Sequence, residues 1–158
     1  MSLDRAKTHL ERFGLAERIH LFDASSATVE LAAQAVGCEP AHIAKTLSFL
    51  LPDGPVLIIA AGDAKVDNAK YKAAFHTKAK MLSHDDVEPM VGHGVGGVCP
   101  FGVNEGVPVW LDESLKRFDI VYPAAGTSNS AVELTLDELE RASLARGWVD
   151  VCKGWREK

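Results

Sequence analysis

The stretch "IAKTLSFLLPDGPVLIIAA", residues 43–61, holds two apolar runs separated by Pro-Asp-Gly-Pro. Asp53-Gly54 between such runs is turn chemistry, so the natural reading is a β-hairpin, with Ile43–Leu51 as one strand and "VLIIAA" as the other. Successive side chains of a strand point to opposite faces. Ile43, Lys45, Leu47, Phe49 and Leu51 therefore share one face, and Ala44, Thr46, Ser48 and Leu50 the other. The lysine falls on the more apolar face, the one expected to turn inward. An unpaired ammonium is costly to bury, so Lys45 needs a partner, a pocket, or a route by which its stem carries the amine back to water.

Working outward, Ser2 is placed to cap a first helix that ends near Phe13–Gly14, and "RIHLF" is a short strand candidate. "SSATVELAAQAVG" reads as a helix with Val29, Ala32, Ala33 and Val36 on one stripe, stopped by Gly37. Beyond the hairpin, "DNAKYKAAF" reads as helix, "AKML" as a short strand, and "SHDDVEPMVG" as a helix with Asp85 and Asp86 in its first turn after Ser83. "HGVGGVCPFGVNEG" is too glycine-rich for a regular element. "PVWLD", "DIVYPAAG" and "AVELT" read as strands, and "LDELERASLARG" as a last helix. Helices and strands interleave, but the hairpin and short spacings do not give clean βαβ units. The expectation is an α/β fold with a mixed, strongly bent sheet, in one domain over residues 1–158.

The apolar fraction of 47% and charged fraction of 25% suit a globular protein, and no apolar run approaches the roughly 20 residues that span a bilayer. A cytoplasmic location and no membrane partner are expected. Cys38, Cys99 and Cys152 are odd in number and far apart, which suits reduced thiols. The histidines and cysteines show no metal-binding spacing, so neither metal nor cofactor is expected. Net charge is −5, yet residues 65–80 carry five lysines against one aspartate, a local +4 that leaves −9 elsewhere. Such a patch is either a solvated helix face or a place for a phosphate-bearing ligand.

Three segments can carry chemistry. Lys45 in a cleft would offer a point charge to phosphate or carboxylate, or a nucleophile or base if its pKa is depressed. In "GVGGVCPFG", residues 94–102, the glycines let a ligand approach main-chain N–H groups closely, or they serve only a tight crossing of elements. The loop is neither a P-loop nor a dinucleotide fingerprint. Cys99 within it would need a base to act as a thiol nucleophile, and no Cys–His signature surrounds it. No Gly-x-Ser-x-Gly elbow occurs. Finally, "YPAAGTSNSAVEL", 122–134, is a hydroxyl-rich turn that either meets a polar ligand or closes a hairpin.

Taken in order, "HIAKTLSFLL", "GDAKVDNAKYKAAF", "GVGGVCPFG" and "PVWLDESLKRFDIVYPAAGTSNSAVELT" resemble the YbaK/ProX family, freestanding relatives of the editing domain of bacterial prolyl-tRNA synthetases. The resemblance runs from "FDASSATVELAAQAVG" through the last helix. It implies a curved, partly barrel-like mixed sheet flanked by helices, and hydrolysis of the ester joining a wrong amino acid to tRNA, mostly tRNA for proline. Lys45 matches the family's strand lysine and would hold the terminal phosphate or ribose. Gly96 through Pro100 match its Gly-x-x-x-Pro loop, so Gly96 and Gly97 would offer N–H groups to the ester carbonyl. Val98, Cys99, Pro100 and Phe101 would border the substrate. Some relatives that clear alanine carry a histidine in the turn equivalent to 126–130. Here it is "GTSNS", which argues against alanine selectivity by that route and leaves Thr127, Ser128, Asn129 and Ser130 to line the pocket.

The resemblance further implies that no catalytic triad is needed, because the vicinal ribose hydroxyl of the substrate helps activate water. Lys65, Lys70 and Lys72 would meet acceptor-stem phosphates. The expected partners are aminoacyl-tRNA and, as a further candidate, prolyl-tRNA synthetase, with no DNA. Two readings stand beside the deacylase: a non-catalytic tRNA- or nucleotide-binding regulatory module of the same fold, and a thiol hydrolase using Cys99.

Overall fold

The computed structural model describes residues 2–22, 28–94 and 97–155. The segment 43–61 forms the expected hairpin. Strand β2 (Ile43–Leu51) runs antiparallel to β3 (Gly54–Ala61), with Ala44 opposite Ala61 and Leu51 opposite Gly54. Gly54 turns the chain at φ +137°, a conformation side chains other than glycine rarely adopt. From Val56 to Ala61 every residue of β3 is fully buried, as a strand covered on both faces must be.

This hairpin is the centre of a curled six-stranded sheet ordered β8-β6-β2-β3-β5-β9. Strand β5 (Val109–Asp112) is parallel to β3, and β9 (Trp148–Val149) is parallel to β5. On the other side β6 (Ile120–Pro123) is parallel to β2, and β8 (Leu134–Thr135) is antiparallel to β6. Parallel and antiparallel pairs coexist, so the mixed α/β architecture expected from the sequence is the one observed. Two short ladders lie apart from this sheet: β1 (Ile19–Leu21) with β7 (Ser130–Val132), and β4 (Lys65–Val66) with β10 (Cys152–Lys153).

Three of the helices carry side-chain caps. In α2 (Val29–Val36) the Thr28 hydroxyl accepts from Leu31 N–H at 3.1 Å, and Gly37 ends the helix at φ +87°. Asp67 caps α3 (Asn68–Phe75) by accepting from Ala69 and Lys70 N–H. Thr135 and Glu138 form a reciprocal capping box at α5 (Leu136–Ala142), and Arg18 pairs with Glu138 at 2.5 Å. Helix α1 (Ser2–Glu11) buries Ala6 and Leu10, and α4 (His84–Val91) buries Val87 and Val91. The side chain of Ser2 lies outside the described residues, so its capping role does too. Ser83 precedes α4, but its side chain makes no capping hydrogen bond.

Three expectations change. "AKML" is no strand: Met81 makes a single bridge to Phe49, with Leu50 N–H donating to Lys80 O at 2.7 Å and Leu82 N–H to Ser48 O at 3.1 Å. "AVELT" splits at Glu133, because β7 turns to β1 while β8 turns to β6. The last helix stops at Ala142, short of its expected end, with Leu144 at φ +57° just beyond.

Candidate active site

Strand β2 has three partners. Ala44 through Leu51 pair with β3, Ile43 and Ala44 pair with β6, and Ser48 and Leu50 bond to the 80–82 segment. Between β6 and that segment a cavity of about 360 Å³ opens along the strand. Ala44, Lys45, Thr46 and Ser48 line it from β2, Val29 and Ala32 from α2, and Met81, Val98, Tyr122 and Ser130 from elsewhere. The face of β2 carrying Ala44 and Ser48 is therefore not the solvent side. Both residues are as deeply buried as Ile43 and Phe49 on the other face. That small, polar face was the sequence signal for a cavity, and the alternation drew attention to its neighbour instead.

Lys45 borders this cavity and is half-buried. Its Nζ donates to Gly62 O at 3.3 Å and more closely to Ala64 O. An ammonium has three donors, and carbonyls of the β3–β4 connection take two of them. Burial lowers the Lys45 pKa below the ordinary lysine value, while Asp63 and Glu30 act against that shift. The chain can present Gly62 O here because residue 62 is glycine: a Cβ there would sit 2.0 Å from Pro40 O.

Of the glycine loop, Gly96 lies outside the described residues. Gly97 is buried against the 126–130 turn so tightly that a Cβ would meet Gly126 O at 2.4 Å and Thr127 N at 2.6 Å. Its glycine identity is thus a matter of close approach. Its N–H, however, donates to Gly94 O at 3.1 Å and is not presented to the cavity. Val98 does line the cavity. Cys99 and Phe101 do not: both are fully buried, with the Cys99 thiol 3.6 Å from His93 Nε2 and from Phe101 O. With no exposed surface, and with burial pushing its pKa up to about 12, the Cys99 thiol is neither accessible nor ionised at neutral pH, which counts against the thiol-hydrolase reading. Pro100 is buried and borders a separate depression under α1.

The hydroxyl-rich turn is mostly self-contained. Thr127 Oγ1 donates to Asn129 Oδ1 at 2.7 Å, and Asn129 Nδ2 donates to Phe22 O at 3.1 Å. Ser130 Oγ accepts from Ala125 N–H at 3.0 Å and donates to Thr127 O at 3.0 Å. Thr127, Ser128 and Asn129 are half-buried and lie off the cavity wall, whereas Ser130 and Ala131 form part of it. Thr46, Ser48, Met81 and Tyr122 join the wall from segments that no single motif connects.

Among the proposed phosphate contacts, Lys65 and Lys72 are exposed. Lys70 is not free, since its Nζ pairs with Asp150 at 3.1 Å and donates to Cys152 O at 3.0 Å. The β4–β10 pairing sets Lys153 opposite Lys65, a cation that the local count over 65–80 could not include. Among the described residues no group of three or more His, Cys, Asp or Glu side chains could hold a metal ion, and no helix is long and apolar enough to cross a membrane.

Comparison with known proteins places this geometry in context. The family described as "Aminoacyl-tRNA editing domain" matches residues 23–142. The uncharacterized protein YwhH of Bacillus subtilis (strain 168) is 49% identical over 156 residues, covering 98% of this chain and 99% of that protein. The proline–tRNA ligase of Leuconostoc mesenteroides subsp. mesenteroides is 28% identical over 92 residues, 58% of this chain but only 16% of the ligase. A crystal structure described as "a putative trans-editing enzyme for prolyl tRNA synthetase" superposes with a TM-score of 0.87 at 30% identity, covering 97% of this chain and 98% of that one. Its mixed, curled sheet is the fold found here. With the family's match spanning most of the chain, the protein belongs to the aminoacyl-tRNA editing domain family.

Proposed function

We propose that the protein is a trans-editing aminoacyl-tRNA deacylase acting on tRNA, most simply tRNA for proline, that carries a small wrong amino acid. The observation that carries this reading is that Lys45 and Val98 of the glycine loop open onto one cavity of about 360 Å³. Such a volume suits an aminoacylated ribose, at the lower end of small-molecule sites. Lys45 holds the terminal phosphate or ribose through its remaining N–H. Gly97 N–H is committed to Gly94 O, so the ester carbonyl falls to the neighbouring loop N–H of Val98, whose residue lines the cavity. Water, activated by the vicinal ribose hydroxyl, adds to the carbonyl carbon. The bond to the ribose oxygen breaks, the ribose recovers its hydroxyl, and the free amino acid leaves. Orientation of ester and water within the cavity supplies much of the acceleration. Exposed Lys65, Lys72 and Lys153 form the phosphate-facing surface.

The engaged N–H of Gly97 is the observation that favours the alternative, a tRNA-binding module without catalysis. One experiment separates them: tRNA for proline is charged in turn with alanine, serine, cysteine, 2-aminobutyrate and proline, and release is followed. Hydrolysis of a small amino acid with proline spared supports the deacylase. Binding of these tRNAs without release from any of them supports the module.

A further inference from the structure

Helix α1 precedes residue 23, where the family match begins, yet its side chains grip both ends of the glycine loop. Arg5 Nη1 donates to Gly92 O at 3.0 Å, and Nη2 donates to Asn104 Oδ1 at 3.0 Å. Asn104 in turn donates from its main chain to Val91 O at 2.7 Å and from Nδ2 to Pro89 O at 2.9 Å, closing the segment at its base. One turn further along α1, His9 Nδ1 accepts from Gly102 N–H at 2.9 Å, and Nε2 lies 2.6 Å from Ala142 O at the end of α5. A main-chain N–H can only donate, so Nδ1 carries the lone pair and Nε2 the proton. Gly102 is fitted to this contact: at φ +70°, its missing Cβ would lie 2.5 Å from Arg5 O. On the opposite side His93, fully buried, meets Phe101 O through Nε2 at 2.6 Å.

We propose that α1 is a brace for the glycine loop, with His9 and Arg5 as positioning residues that set Val98 and its neighbours against the cavity. The brace works only while His9 is neutral. An imidazolium has no lone pair and would turn an N–H against the Gly102 N–H. The charged groups that border the same depression as His9 are Asp4, Arg5 and Arg12 on α1 and Glu105 just after the loop; Arg12 acts on the ring, and His93 lies beyond Phe101. Burial, the first cause, and Arg12 lower the His9 pKa, and the Ala142 carbonyl opposes them. The loop is therefore held at neutral pH and released as acid protonates the ring.

The kinetic half of this inference rests on the deacylase reading; the structural half does not. His9→Asn keeps an acceptor near Nδ1 and loses the Ala142 bond, while His9→Gln does the reverse. Amide exchange and NMR shifts of Val98 and Gly102 are measured in both variants and in wild type, together with single-turnover release from the cleared aminoacyl-tRNA. Loss of one buried hydrogen bond leads to about tenfold faster exchange in His9→Gln, with the single-turnover rate constant reduced about tenfold at an unchanged half-saturating enzyme concentration, and less than about threefold change in His9→Asn. In wild type the Gly102 amide shift follows His9 titration, below the ordinary histidine value, and in His9→Asn it is flat. Equal behaviour of the two variants, or loss in Asn alone, overturns the brace. If wild type releases no amino acid, the deacylase reading fails and the amide measurements alone decide the brace.

Discussion

Replacing Gly97 by alanine adds one methyl where the structure has no room for it. The new Cβ would stand 2.4 Å from Gly126 O and 2.6 Å from Thr127 N, both main-chain atoms that no rotamer change can move away. Relief requires the loop and the 126–130 turn to separate by roughly 1 Å, since non-bonded heavy atoms rest at about 3.5 Å. Overpacking of this kind costs about 1–3 kcal/mol, and in a chain of this size each kcal/mol lowers Tm by about 2–4 °C. The expected fall in Tm is thus about 2–12 °C. On the proposed function the kinetic effect is larger in proportion, because a displacement of about 1 Å beside a reacting ester can reduce the rate about a hundredfold. Gly94→Ala is the control: its Cβ would meet nothing closer than Glu88 Oε1 at 3.7 Å, so stability within about 0.5 kcal/mol of wild type is expected. Calorimetry and single-turnover deacylation of the two variants provide the comparison. If Gly97→Ala keeps wild-type Tm and loses less than about threefold in rate, the close approach of loop and turn does not shape the site.

Other outcomes are as specific. Cys99→Ser, at a buried thiol held up to about 12, is expected to alter release by less than about threefold, and abolition would restore the nucleophile reading. Burial is the leading cause that lowers the pKa of both His9 and His93, so the unfolded chain takes up protons first as pH falls from about 6.5. Stability is complete above that pH and lost as acid carries the chain down to the folded-state pKa values; urea midpoints at pH 7.5 and 5 measure it, and a midpoint that rises in acid contradicts it. The double variant Lys65→Glu, Lys153→Glu should weaken tRNA binding and flatten its salt dependence by about two in log–log slope, whereas Lys70→Glu should cost stability through Asp150 and Cys152 O. Unchanged binding and salt slope in the Lys65→Glu, Lys153→Glu variant would place the tRNA surface elsewhere.

The hairpin was legible because its information is local: two apolar runs, Asp53-Gly54 between them, and a period of two. Helices α2, α3 and α5 were legible for the same reason, each carrying a cap residue ahead of its first turn. Strands β9 and β10 were not, since two residues carry no period, and they exist only because β5 and β4 offer edges to them. The division of "AVELT" at Glu133 is likewise decided by two separate partners. In the site, Lys45 announced itself as a charge in an apolar strand, and Ser130 as part of a hydroxyl-rich turn. Cys99 and Phe101 misled because a glycine-rich loop suggests exposure, whereas this one folds its larger side chains inward against His93 and His9. Met81 and Tyr122 reach the cavity, and His9 reaches Gly102, through chain reversals that no spacing in the sequence encodes.

On the proposed function, Lys45 serves the ester-bearing end of tRNA and is not merely a buried strand residue. Lys45→Met keeps the apolar stem and removes the ammonium that meets Gly62 O and Ala64 O. The decisive measurement is its single-turnover release rate on the tRNA that wild type clears, set beside its Tm. A loss of about a hundredfold or more in rate with Tm within a few degrees of wild type is the expected result. A rate that falls only as far as stability does, or that does not fall, would make Lys45 a structural residue and contradict the claim.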